Sequence, residues 1–153
     1  TTWDEVKKYT NEVIPIIREN TDNIIIVGTP TWSQDVDKAA DNPLEFNNIA
    51  YALHFYSGTH KEYLREKIDY AREKGISVFV SEFGVSDASG NGGVYLDEGK
   101  IWLDYLKDKN ISFVNWSFAN KDESSALLLP NTNTPEEVNL SKSGKFIKEE
   151  YNK

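Results

Sequence analysis

The sequence predicts an α/β fold built on a parallel sheet, and three observations carry that expectation. Four short apolar runs, residues 23–28, 49–56, 76–83 and 111–118, are rich in β-branched and aromatic side chains, as strands buried between layers are. Segments with helical spacing of apolar residues follow the runs, and strands alternating with helices form parallel sheets. Polar or aromatic groups recur at the C-terminal ends of the runs: His54 and Tyr56 close the second, Glu82 the third and Trp116 the fourth. The spacings are each about one strand–helix unit, ~30 residues or more.

The chain opens on a helix. Thr2 and Glu5 have capping-box spacing. Val6, Tyr9, Val13 and Ile16 then recur at helical intervals. Pro15 should kink this helix or end its regular hydrogen bonding. The first strand, Asn23–Gly28, is continuously apolar and predicts burial on both faces. A polar loop with Trp32 follows. His54 and Tyr56 are two residues apart in the second run, so they point to one strand face. Residues 62–74 make a helix with Leu64, Ile68 and Ala71 on one side, stopped by Gly75. His60 lies just before it and has no other assigned role.

The third run ends on Glu82, and burying a carboxylate without a partner is costly. Glu82 is therefore either a solvated strand-end charge in a structural ion pair or a group held for chemistry. Residues 87–93, DASGNGG, predict a flexible loop at the rim of a site, or an ordinary turn. Residues 95–110 form another helix, with lysines in its last turn that suit the dipole. The fourth run carries Trp116. A long loop to Leu140 precedes a terminal helix over residues 141–153.

Composition bounds the function. With 153 residues the chain reads as one domain, 1–153. The formal charge of −8 argues against a nucleic-acid partner, and no apolar run approaches the roughly 20 residues of a membrane helix. No charged-then-apolar stretch opens these residues, so no signal peptide is expected within them. The absence of cysteine excludes disulfides and thiolate metal sites. No strand is followed by G-x-G-x-x-G and there is no P-loop, so a nucleotide site lacks its signature; no cofactor or metal is expected.

Four strand ends at one sheet edge match the face of a (β/α)8 barrel that carries chemistry. A barrel has eight strands and about 250 residues, so four units predict half of one. Two unpaired sheet edges would favour association, and inner-face residues such as Val78 or Val80 would lack an opposing layer. Each candidate also has a plainer reading. His54 can be a core histidine bonded to backbone, and Trp116 can fill the interior. Trp32 can pack under its loop rather than stack on a ligand. Lys121, Asp122 and Glu123 can be a solvated charge run.

Taken together, TWSQDV, LHFY, SEFG, SDASGNGG, FVNWSF and KDESSALL, in that order, resemble the C-terminal half of glycoside hydrolase family 5 cellulases, endo-β-1,4-glucanases with a (β/α)8 barrel. The resemblance implies strands five to eight of that barrel, preceded by one helix. It makes Glu82 the nucleophile, with His54 and Tyr56 around the nucleophile and the −1 sugar. It makes Trp116 a stacking tryptophan, Lys121 a lysine that bonds substrate hydroxyls, and Trp32 a tryptophan of the loop after strand five. Phe83 replaces the tryptophan of many relatives.

The family's acid/base glutamate lies in Asn-Glu-Pro, which does not occur here; Asn11-Glu12 precedes Val13 inside the first helix. The opening residues resemble the helix after that motif, so the chain is expected to begin just beyond it. A retaining glycosidase needs both carboxyls. The expectation is thus a β-glucan hydrolase, acting outside the cell, completed by an N-terminal half barrel or by self-association, and inactive alone. An inactive half-barrel scaffold, or activity on mannan, xyloglucan or mixed-linkage glucan, is the alternative.

Overall fold

The computed structural model describes residues 1–133 and 138–153. Among these residues six helices and four strands follow in the order α1 (Trp3–Arg18), β1 (Ile25–Val27), α2 (Pro30–Ser33), α3 (Val36–Asp41), β2 (Ile49–Tyr56), α4 (Glu62–Glu73), β3 (Val78–Gly84), α5 (Leu96–Asp108), β4 (Phe113–Asn115) and α6 (Lys142–Tyr151). The strands form one sheet in chain order, β1-β2-β3-β4. The first pair is parallel, with Ile25 opposite Ile49 and Val27 opposite Tyr51. The α/β fold with sequentially ordered strands is thus as the sequence predicts. Residues 134–137 of the long loop before α6 lie outside the described residues.

The chain divides into two compact units. One contains Thr1–His54 and Glu62–Val80, the other Phe55–Lys61 and Ser81–Lys153. β2 and β3 each contribute to both.

In the first unit the capping box forms as expected. Thr2 Oγ1 accepts from the Glu5 N–H and Glu5 Oε2 accepts from the Thr2 N–H. The buried face of α1 differs from the expected one. Trp3, Thr10 and Ile14 are buried, whereas Tyr9 and Ile16 are exposed. The reason is Trp3, whose ring meets Tyr51 edge-on at 5.7 Å and whose indole N–H reaches the Asn42 carbonyl at 2.8 Å. That contact decides which apolar stripe docks. Pro15 does not end the helix: α1 runs on to Arg18 and the Glu19 N–H reaches the Pro15 carbonyl, although proline itself, with no N–H, leaves one donor missing from the ladder. β1 is also less enclosed than predicted: it is an outer strand, and Ile24 and Ile26 are exposed. On α4 the predicted face holds, with Leu64, Ile68 and Ala71 fully buried. Lys67 on the same helix pairs with Asp35 at 2.6 Å and with Asp37 on α3 at 3.3 Å. Val78 and Val80 are buried, contrary to the expectation that they lack cover.

The second unit is organised by aromatic rings. Trp102 of α5, fully buried, stacks on Phe55 with centroids 4.0 Å apart. Phe55 stacks in turn on Phe83 at 5.1 Å, and Phe113 meets Phe83 edge-on. Gly144 lets α6 approach residue 127, since a Cβ there would lie 2.1 Å from the Leu127 carbonyl oxygen. The fourth strand is shorter than its apolar run: it covers only Phe113–Asn115, and the Trp116 N–H makes one further bond to the β3 backbone at Phe83. No helix of the described residues is long and apolar enough to cross a membrane.

Removing the central ring tests this packing. Trp102→Ala should lower the unfolding free energy by about 3–5 kcal/mol, read from urea unfolding. A loss below ~1 kcal/mol would contradict the stack as the centre of this unit.

Candidate active site

Tyr56 ends β2 and Glu82 lies near the end of β3. Beyond them the two strands continue in register, with the Ser57 N–H donating to the Gly84 carbonyl at 2.9 Å and the Gly58 N–H to the Ser86 carbonyl at 2.9 Å. This pairing sets the two side chains side by side, and the Tyr56 hydroxyl donates to Glu82 Oε1 at 2.6 Å. The short distance is that of a charge-assisted O–H···O⁻ bond. Glu82 is thus a partly exposed carboxylate with a neutral donor rather than a simple solvated strand end.

The tyrosine ring lies against the backbone of Gly84. A Cβ there would sit 2.6 and 2.7 Å from Tyr56 Cε1 and Cδ1, so no side chain fits. Burial raises the Tyr56 phenol well above its ordinary value. The bond to Glu82 and the charges of Glu82 and Glu123 raise it further. Tyr56 therefore stays a protonated donor across any ordinary working pH.

Trp116 follows β4 directly. Its N–H and the Asn115 side-chain amide both donate to the Phe83 carbonyl, at 2.8 and 3.1 Å. Trp116 is 48% exposed, so it does not simply fill an interior. Its peptide bond to Ser117 is cis. Lys121 is exposed, with Nζ 3.9 Å from Glu123 Oε1. Glu123 was hidden in the sequence within a charge run; its electrostatic reach to Tyr56 shows only in the structure.

The 87–93 loop is tied down rather than free-standing. Asp87 and Gly90 close it on itself, and the Ser125 N–H reaches the Gly90 carbonyl at 2.9 Å while Asn91 Oδ1 accepts from the Ser124 N–H. Gly92 is obligatory, with φ +82° and an Asp87 oxygen 1.7 Å from where its Cβ would stand. The expected flexible rim is therefore a hydrogen-bonded one.

His54 and Trp32 belong to the first unit. His54 is half-buried on β2. Trp32 sits in the short turn of α2, where Thr31, Trp32 and Ser33 all have positive φ, and it is 85% exposed. It is not packed under its loop. Three successive non-glycine residues in the left-handed region are costly. The turn is held by the Ser33 N–H to the Thr29 carbonyl and by Thr31 Oγ1 donating to Asp35 at 2.7 Å.

His60, given no role from the sequence, is buried and accepts the Tyr56 N–H on Nδ1 at 2.8 Å. The signal for it is its position four residues past Tyr56, at the far side of the turn, which means nothing until the turn is folded. Among the described residues, no group of three or more His, Asp or Glu side chains could hold a metal ion.

The model of the family Cellulase (glycosyl hydrolase family 5) matches residues 1–122. Endoglucanase A of Evansella cellulosilytica is 52% identical over 152 residues, 96% of this chain and 31% of that protein. The solved structure of cellulase Cel5C_n superposes with a TM-score of 0.97 at 53% identity, covering 100% of this chain and 48% of that one. A variant of the catalytic domain of Thermobifida fusca endoglucanase Cel5A, solved in complex with cellotetraose, matches with a TM-score of 0.92 at 27% identity, over 100% of this chain and 54% of that one. The chain thus spans about a third of the curated relative's length and about half of each solved one.

The Tyr56 environment makes stability fall at alkaline pH. An unfolded tyrosine ionises near ~10, and the folded one higher. Above ~10 the unfolded state loses its proton first, so the Tyr56 contribution is intact below that pH and declines as pH rises towards the folded value. Tyr56→Phe should flatten this decline in urea unfolding measured from pH 9 to 11. An unchanged slope would contradict the assigned environment.

Proposed function

The chain belongs to glycosyl hydrolase family 5, and from that premise we propose that it supplies the nucleophile side of a retaining endo-β-1,4-glucanase. The observation that carries the reading is Glu82, a carboxylate at a strand end whose Oε1 is held by a neutral tyrosine 2.6 Å away. Orienting a carboxylate without protonating it is what a nucleophile requires. The cellotetraose bound by the Thermobifida relative supports a β-1,4-glucan substrate.

In this mechanism a Glu82 oxygen attacks the anomeric carbon and the glycosidic C–O bond breaks. A second carboxyl gives its proton to the leaving oxygen, and a glycosyl ester on Glu82 forms. That carboxyl then takes a proton from water, which attacks the anomeric carbon and frees Glu82. The two groups must lie ~5–5.5 Å apart. Asn-Glu-Pro does not occur in these residues, so the acid/base comes from an N-terminal half barrel, and the isolated chain is inactive on polymer. General acid catalysis is typically worth ~10²–10⁴-fold.

The remaining residues bind. Trp116, half-exposed beside the Phe83 carbonyl, offers its ring to a pyranose face, and Lys121 bonds sugar hydroxyls. His54 positions the −1 sugar, and Trp32, exposed on a strained turn, is a further stacking surface. Polymeric substrate places this chemistry outside the cell.

Complementation tests the proposal. Mixed with an N-terminal half barrel carrying Asn-Glu-Pro, the chain should hydrolyse carboxymethyl cellulose, and Glu82→Gln should reduce activity to background while assembly persists. A mixture that assembles but stays silent on glucan, mannan, xyloglucan and mixed-linkage glucan would favour an inactive scaffold. Activity in the isolated chain would locate an acid within these residues, with Asp87 and Glu123 the first to examine.

Tyr56→Phe removes one hydrogen bond to a charged group, worth about 1.5–3 kcal/mol. In the complemented enzyme kcat/KM should therefore fall roughly 10- to 100-fold. Wild-type kcat/KM in that variant would remove Tyr56 from the machinery.

A further inference from the structure

His60 holds both backbone polar groups of Tyr56. Its Nδ1 accepts the Tyr56 N–H at 2.8 Å, and its own N–H donates to the Tyr56 carbonyl at 2.8 Å. A backbone N–H can only donate, so Nδ1 carries no proton and the imidazole is the neutral Nε2–H tautomer. Burial, the largest cause, and the neighbouring charge of Lys61 lower the affinity of the ring for a second proton, in keeping with the neutral form that this geometry requires.

The histidine is itself anchored. Its carbonyl accepts the indole N–H of Trp102 at 2.9 Å. Trp102 also stacks on Phe55, the residue before Tyr56. The backbone of Tyr56 is thus fixed through His60 on one side and through the Phe55 ring on the other. Its side chain has little freedom left, with the ring on Gly84 and the hydroxyl on Glu82. Every one of these contacts lies within the second unit.

We propose that His60 is a positioning residue for the glucan-cleaving site: its unprotonated Nδ1 fixes the Tyr56 peptide so that the tyrosine hydroxyl stays on Glu82 Oε1. The inference rests on the proposed role of Glu82. An acceptor at this point is needed because the Tyr56 N–H is buried, and a buried donor left unpaired is costly. An apolar replacement would strand that donor and let the backbone move, carrying the hydroxyl away from a bond that tolerates only a few tenths of an ångström. Substrate contacts elsewhere would be unchanged, so the loss belongs in kcat rather than KM.

The test uses the complete barrel. With tyrosine and histidine labelled with ¹⁵N, a through-hydrogen-bond coupling should connect the Tyr56 amide to His60 Nδ1, with the ring proton on Nε2. On carboxymethyl cellulose, His60→Leu should lose on the order of 10-fold in kcat, with KM changed less than about twofold. His60→Asn, whose Oδ1 stands where Nδ1 was, should recover most of that loss. A protonated Nδ1 or absent coupling overturns the proposal, as does wild-type kcat in His60→Leu or no advantage of asparagine over leucine. The coupling needs no turnover, so it stands even if His60→Leu fails to fold. It also separates failure here from failure of the nucleophile assignment, which Glu82→Gln reads independently.

Discussion

The hydroxyl of Tyr56, 2.6 Å from Glu82, imposes conditions that much of the second unit meets. A phenol can hold a carboxylate that closely only if both strands end at matching levels. The ring must also have somewhere flat to lie, and the hydroxyl must keep its proton. The continued pairing of residues 57 and 58 with 84 and 86 meets the first condition. Gly84 meets the second, and burial beside two carboxylates meets the third.

The same constraint explains why an aromatic cluster sits behind this site. Phe55 and Phe83, each next in sequence to one member of the pair, point into the stack with Trp102. Strand alternation means that anchoring residue 55 orients residue 56 the other way. Packing energy on one face is thereby converted into positional accuracy on the other. Side-chain chemistry that needs sub-ångström placement is better built on such elements than on loops.

The first unit solves a different problem. Its charged pairs, Lys67 with Asp35 and Asp37, join the segment after α2 to α4. They are partly screened, so their value lies more in fixing geometry than in stability. Asp35 also accepts from Thr31 in the left-handed turn that presents Trp32. The strain of that turn is tolerated because its backbone bonds and this network hold it together.

The sequence by itself determined the order of the four strands and of the helices α1, α4, α5 and α6, because apolar runs of strand length alternating with helical spacing leave few other folds; the stretch after β1, which reads as a polar loop, instead carries α2 and α3. It also determined which strand ends carry His54, Tyr56, Glu82 and Trp116, since period-2 alternation and motif spacing are local properties. The capping box of Thr2 and Glu5 and the buried face of α4 were legible for the same reason. Only the tertiary structure decided which stripe of α1 is buried, because that depended on Trp3 meeting Tyr51 and Asn42 some forty residues away. It decided that Val80 is covered and that the 87–93 loop is bound to residues 124 and 125. It alone brought the Tyr56 hydroxyl to Glu82 and the His60 ring to the Tyr56 N–H. Hydrogen bonds between residues distant in sequence, and the burial that strengthens them, are set by where the chain folds back, and no local pattern encodes that.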